Sequence, residues 1–176
     1  MPEAIIVAGP NGAGKSTFIA NYLPSAFRQN YIRLDADEIE GNLDAATTGK
    51  EQRSYLAGRI LLDRLDGVVE ARGNFILETT LSLRGYALKI PNWRICGYRV
   101  TLIYLRLTSV EESLERVHRR VASGGHDIAE AVIRRRFQKS LDNLETLYKP
   151  IVNQWYMYVW ETRERTFKFH SASEIE

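Results

Sequence analysis

The sequence predicts an α/β protein, a mainly parallel sheet covered on both faces by helices, with a strand pair at its C-terminal end. Two observations carry this. Short apolar runs of strand character, among them Ile5-Ile6-Val7, Phe75-Ile76-Leu77 and Tyr98 to Leu105, alternate with longer segments of helical period. The first run leads directly into a glycine-rich turn and the start of a helix, Ala4 to Thr17.

Taken in order, the first strand is about Ala4–Ala8 and its helix runs from Lys15 to about Tyr22, where Pro24 stops it. Tyr31 to Leu34 reads as a second strand ending in Asp35-Ala36-Asp37-Glu38, and the polar, small stretch Asn42 to Gly49 as a loop. A long helix follows over roughly Glu51–Arg72, with Tyr55, Leu62, Leu65 and Val69 on one face and Gly73 as its C-cap. Phe75 to Leu77 is the third strand, with Glu78-Thr79-Thr80 at its C-terminal end, and a helix lies around Ser82–Pro91. Tyr98 to Leu105 is the fourth and strongest strand signal. Ser109-Val110-Glu111-Glu112 is a capping box opening a helix whose core face is Val110, Leu114, Val117 and Val121. Ser123-Gly124-Gly125 breaks it. A last long helix spans about Ala129–Val152, with Ile133, Phe137, Leu141, Leu144 and Tyr148 at helical spacing. Tyr156 to Trp160 and Thr166 to Phe169 form the final strands around a turn at Thr162 to Arg165. Core packing accounts for the alternating Trp155, Tyr156, Tyr158 and Trp160.

The length of 176 residues favours one domain over 1–176, and 44% apolar with 26% charged residues suits an ordinary globule. A net charge of +2 is too small to indicate a nucleic-acid binder. Cys96 is the single cysteine, so there is no intrachain disulfide and no cysteine cluster for a metal. No signal-peptide pattern and no run approaching about 18 apolar residues is present. The expected setting is reducing and cytoplasmic, away from the membrane.

Gly9, Gly14, Lys15 and Ser16 satisfy G-x-x-x-x-G-K-[ST], the P-loop pattern. Gly9, Pro10, Asn11, Gly12, Ala13 and Gly14 let successive backbone N–H groups face one anion, and the following helix adds its free N–H groups. Lys15 is expected on the β- and γ-phosphates of ATP, the Ser16 hydroxyl on Mg²⁺, and Thr17 near the α-phosphate. This places the fold among the three-layer P-loop NTPases.

In open α/β sheets, ligands bind beyond the C-terminal strand ends. The P-loop, Asp35/Asp37 and Glu78/Thr79/Thr80 all fall there. Asp37 suits the general base that takes a proton from a substrate hydroxyl, or else it caps the segment Glu38–Gly41. Asp35 orders Mg²⁺ through water, orients the loop or ends the strand. Glu78 suits substrate hydroxyls or a metal-bound water, and Thr80 suits a hydrogen bond to the same substrate. Arg116 and Arg120 lie one helical turn apart and run into Gly124-Gly125-His126, the arrangement of a lid, about 116–130, whose cations meet charge developing on a transferred phosphoryl group. Arg119, Arg135 and Arg136 read as a solvated face.

Gly9 to Thr17, Asp35-Ala36-Asp37-Glu38-Ile39, Glu78-Thr79-Thr80, Arg116-x-x-x-Arg120-x-x-x-Gly124-Gly125-His126-Asp127-Ile128 and the helix Ile133 to Leu144 follow one another in this order. This resembles the zeta-toxin-like P-loop kinases, in a compact branch, over nearly the whole chain. The resemblance implies ATP- and Mg²⁺-dependent phosphorylation of a hydroxyl, in those toxins the 3′-hydroxyl of the sugar in UDP-N-acetylglucosamine. It matches Lys15 to the P-loop lysine, Asp37 to the base, Glu78 and Thr80 to sugar-nucleotide contacts and Arg116 to a phosphate contact. It also admits an antitoxin-like protein as partner, while His126 is a candidate substrate contact through its place beside the lid glycines. The competing readings are a kinase for an antibiotic or nucleoside hydroxyl, and a non-catalytic ATP-dependent switch or RNA-binding module.

Overall fold

The computed structural model describes residues 1–43, 49–125 and 127–174. The strands are β1 (Glu3–Ala8), β2 (Ile32–Asp35), β3 (Phe75–Thr79), β4 (Arg99–Arg106), β5 (Gln154–Glu161) and β6 (Thr166–Glu174). The helices are α1 (Lys15–Asn21), α2 (Ser25–Asn30), α3 (Ala36–Gly41), α4 (Lys50–Glu70), α5 (Gly85–Ile95), α6 (Val110–Ala122) and α7 (Glu130–Asn143). A π-helical turn, Leu144–Tyr148, continues α7. The strands form one sheet in the order β2-β3-β1-β4-β5-β6. All neighbours are parallel except β5 and β6, which pair antiparallel. The three-layer architecture and the C-terminal strand pair agree with the sequence.

The two faces of β1 go to different cores, as period-two alternation requires. Ala4, Ile6 and Ala8 join a core with Leu61, Leu65, Trp93, Leu102 and Tyr148, while Ile5 and Val7 join one with Phe18, Ile19, Ile76, Leu105 and Phe167. The first core is covered by α4 and α5, and α1 lies over the second. Burying a Leu or Phe side chain contributes about 1.5–3 kcal/mol. Tyr104 bonds Ser140 across a buried 2.8 Å contact, which ties β4 to α7.

Several local details differ from the sequence reading. Pro24 does end α1, but it also caps the unforeseen short helix α2. The buried stripe of α4 is Ala57, Leu61 and Leu65, whereas Tyr55 and Leu62 are exposed. Apolar residues encircle much of that helix, and the position of its neighbours decides which stripe is covered. Gly73 is not the left-handed cap. Arg72 takes that conformation at φ 55°, and the Gly73 N–H bonds the Val68 carbonyl one turn back. A Cβ on Gly73 would stand 3.2 Å from Val68 Cγ1, so close packing against α4 is its constraint. α5 begins at Gly85 and carries Pro91 inside it. Residues 44–48 of the expected loop lie outside the described residues.

The helix α6 is capped at both ends. Ser109 accepts from the Glu112 N–H at 3.1 Å, while the Glu112 carboxylate turns to the N–H and hydroxyl of Thr108. At the other end Gly124 sits at φ 84°, and the Gly124 and Gly125 N–H groups bond the Val121 and Arg120 carbonyls at 2.9 Å. That paired closure is the Schellman motif, and it needs a left-handed residue at Gly124.

Candidate active site

The P-loop leaves β1 at Gly9, whose φ of 150° suits glycine alone. A Cβ there would lie 2.4 Å from the Leu105 carbonyl oxygen, so β4 packs directly against the turn. The turn then closes through the Ala13 N–H on the Pro10 carbonyl, and α1 starts at Lys15. Ser113 of α6 holds the loop from behind, donating to the Asn11 carbonyl at 2.6 Å.

Lys15 curls over the turn, its Nζ 3.2 Å from both the Gly9 and Pro10 carbonyl oxygens. Burial pushes its pKa down. The carboxylates of Glu78, Asp37 and Asp35 pull it back up by lesser amounts, so all three act on the same ammonium. The Ser16 hydroxyl meets Glu78, 2.9 and 3.1 Å from the two carboxylate oxygens. Asp35 and Glu78 are register partners across β2 and β3. The Asp35 carboxyl is pushed up to about 6, chiefly by burial, then by the charges of Glu78 and Asp37. The Asp37 N–H and Arg33 work against this.

Asp35, not Asp37, caps the helix α3. Its Oδ1 accepts from the Asp37 N–H at 2.9 Å, leaving the Asp37 side chain exposed on the first turn. A cap oxygen must precede the helix by one residue to reach its free N–H groups. Asp35 meets that condition where β2 ends.

On the opposite wall, Arg116 donates from Nε to the Gly12 carbonyl at 2.7 Å and lies over the Trp160 ring, 4.2 Å from its centroid. Trp160 packs edge-on against Phe167 at 5.0 Å. Arg116, Trp160 and the P-loop enclose a cleft of about 930 Å³, lined also by Asp35, Asp37, Glu78, Arg119, Arg120, Thr162 and Arg165. The structure therefore brings together Asn11, Gly12, Gly14, Lys15, Ser16, Thr17, Asp35, Asp37, Glu78, Arg116 and Arg120. Thr80 stands apart from this lining and shares a 2.9 Å hydrogen bond with Ser82. His126 lies outside the described residues.

Three participants were not foreseen. Arg33 bonds Asp35 at 3.2 Å and Glu78 at 2.9 Å. Its signal was present, since it stands two residues before Asp35 on the same face of a strand. Trp160 was assigned to core packing, and it does touch the second core. Its place at the C-terminal end of β5 also brings it to the cleft. Arg119, read as part of a solvated face, lines the cleft and pairs with Glu115.

A family model described as "Zeta toxin" matches residues 1–173. The chain belongs to the zeta toxin family. An uncharacterized protein of Haemophilus influenzae is 28% identical over 135 residues, covering 77% of this chain and 92% of that protein. Among solved structures, a chain of the AvrRxo1-ORF1:-ORF2 complex with ATP superposes at a TM-score of 0.77. It is 15% identical, with 98% of this chain and 58% of that one covered. This zeta toxin family member thus spans 58% of the length of that relative. The PezAT chromosomal toxin–antitoxin system of Streptococcus pneumoniae gives 0.71, at 22% identity over 95% of this chain and 69% of that chain. At such identities the two likenesses show a common fold.

Proposed function

We propose that this zeta toxin family member is a phosphotransferase that moves the γ-phosphoryl group of ATP to a hydroxyl of a small molecule. The observation that carries the reading is the single cleft in which Lys15 and Ser16 face Asp35, Asp37 and Glu78 on one side and Arg116 and Arg120 on the other.

The oxygen donors fit Mg²⁺. Ser16 Oγ and the Glu78 carboxylate lie 2.9 Å apart, and Mg²⁺ is typically held by one or two carboxylates, waters and substrate phosphates rather than a protein cage. Among the described residues no three His, Cys, Asp or Glu side chains form such a cage. When bound, the ion would neutralise charge on the β- and γ-phosphate oxygens.

The chain's own residues supply the rest. The P-loop N–H groups and Lys15 hold the phosphates, so Lys15 leaves its two carbonyl partners for a stronger, charge-assisted one. Asp37 takes the proton of the attacking hydroxyl as the new P–O bond forms. Glu78 and Asp35 orient the acceptor side, while Arg116 and Arg120 meet the charge that gathers on the transferred group. The family resemblance makes a nucleotide sugar such as UDP-N-acetylglucosamine the first acceptor to test, ahead of antibiotic and nucleoside hydroxyls. An antitoxin-like protein partner belongs to the same proposal, supported by the likeness to AvrRxo1-ORF1:-ORF2 and PezAT.

The test is mass spectrometry of acceptors after incubation with ATP and Mg²⁺. Asp37→Asn keeps the shape and removes the base, so transfer should fall roughly 10²–10⁴-fold with acceptor affinity little changed. An unimpaired variant removes Asp37 from the mechanism. ATP consumption with no phosphorylated acceptor would instead favour an ATP-dependent switch.

A further inference from the structure

We propose that Arg33 is a positioning residue that acts as a resident cation at the acceptor end of the cleft. By bridging Asp35 and Glu78 it moderates how tightly a divalent ion is held beside Ser16, and it fixes the start of the helix carrying Asp37. The inference rests on the reading above, in which Ser16 and Glu78 flank the metal position.

Asp35 and Glu78 lie side by side on adjacent parallel strands, and their side chains are 10% and 9% exposed. Two carboxylates so placed repel, and burial sharpens the repulsion. The Arg33 Nη2 atom reaches both, at 3.2 and 2.9 Å. Each carboxylate has a second commitment. Glu78 Oε2, which accepts from Arg33, also lies 3.1 Å from Ser16 Oγ. Asp35 uses Oδ2 for Arg33 and Oδ1 for the Asp37 N–H. A continuous chain of contacts thus runs from the P-loop serine through Glu78, Arg33 and Asp35 to the backbone of Asp37.

Two effects of opposite sign follow from removing the guanidinium. The oxygens beside Ser16 lose a neighbouring positive charge, so a divalent cation should bind them more tightly. The two carboxylates also lose their common partner, so Glu78 and the first turn of α3 lose register and turnover should fall. A residue that merely supported the strand edge would weaken metal binding and turnover together.

The experiment is Mn²⁺ binding to the ADP-loaded chain, followed by electron paramagnetic resonance, alongside basal ATP hydrolysis. For Arg33→Met the Mn²⁺ dissociation constant should fall roughly fivefold while hydrolysis slows roughly 10- to 100-fold. Arg33→Lys keeps one charged nitrogen to serve both carboxylates, so Mn²⁺ affinity should stay near that of the wild type and hydrolysis should fall less than in Arg33→Met. Thermal melts establish that each variant is folded, and Arg33→Gln is read in the same way if the methionine variant is not. Unchanged or weaker Mn²⁺ binding in the neutral variant overturns the proposal, as does wild-type hydrolysis in Arg33→Met. Failure of the wild type to bind ADP would count instead against the kinase reading.

Discussion

Asp35 joins three parts of the cleft. It caps α3, accepts from Arg33 and stands beside Glu78. Its carboxyl is raised from 3.8 to about 6, because burial and the neighbouring negative charges outweigh Arg33 and the Asp37 N–H. A raised acid pKa means that the folded protein holds a proton the unfolded chain releases. The associated stability is complete below about pH 4 and is lost as pH rises through about 6. Asp35→Asn retains an oxygen for the cap and removes the charge. Its melting temperature should exceed that of the wild type at pH 8, and the two should converge near pH 4, as followed by circular dichroism. A variant less stable at pH 8 would show that the Arg33 ion pair outweighs burial.

The helix α6 carries three arginines that line the cleft, and two of them, Arg116 and Arg120, have separable expected effects. Arg116 is held on the Gly12 carbonyl and the Trp160 ring. Arg116→Ala should therefore loosen the P-loop and lower ATP affinity as well as turnover. Arg120→Ala should lower turnover more than it weakens ATP binding, because its proposed partner is charge that develops during transfer. Calorimetry with ATP beside single-turnover kinetics distinguishes the two, and a loss confined to ATP affinity would make Arg120 a ground-state contact. The segment after β3 offers a test of stability. Leu81 is buried at φ 55°, a conformation that typically costs 1–3 kcal/mol. Asn143 in α7 holds it there by donating to the Leu81 carbonyl at 2.7 Å. Asn143→Ala leaves that carbonyl without its donor and should lower unfolding free energy by about 1–3 kcal/mol in urea titrations.

At the scale of the whole molecule, the sheet order places the acidic residues of β2 and β3 on one side of the P-loop and the Trp160 end of β5 on the other. A ligand held between the two sides binds the folded chain and not the unfolded one. ATP–Mg²⁺ should accordingly raise the melting temperature in a concentration-dependent way, by an amount equivalent to about 2.7 kcal/mol at one hundred times the dissociation constant. Lys15→Ala should remove most of that rise and leave the fold intact. An equal rise in both proteins would remove Lys15 from phosphate binding. Among the described residues no helix is long and apolar enough to cross a membrane.

The alternation of elements, the P-loop between β1 and α1, and the clustering of Asp35, Asp37 and Glu78 at strand ends can all be read from the chain alone. These are legible because hydrophobic period, glycine placement and capping are local properties, set within a few residues. Tertiary packing decided which stripe of α4 is buried, Leu61 rather than Leu62, because the apolar residues of that helix are spread around it and its neighbours choose among them. It also decided that Asp35 takes the cap while Arg33 bridges two strands, and that Trp160 serves the cleft as well as the core. Ser16 and Glu78 are 62 residues apart in sequence, and Arg33 and Glu78 are 45 apart. No local pattern encodes such partners. They meet because β3 lies between β1 and β2, and that order is settled by how the buried faces of the whole sheet are satisfied at once.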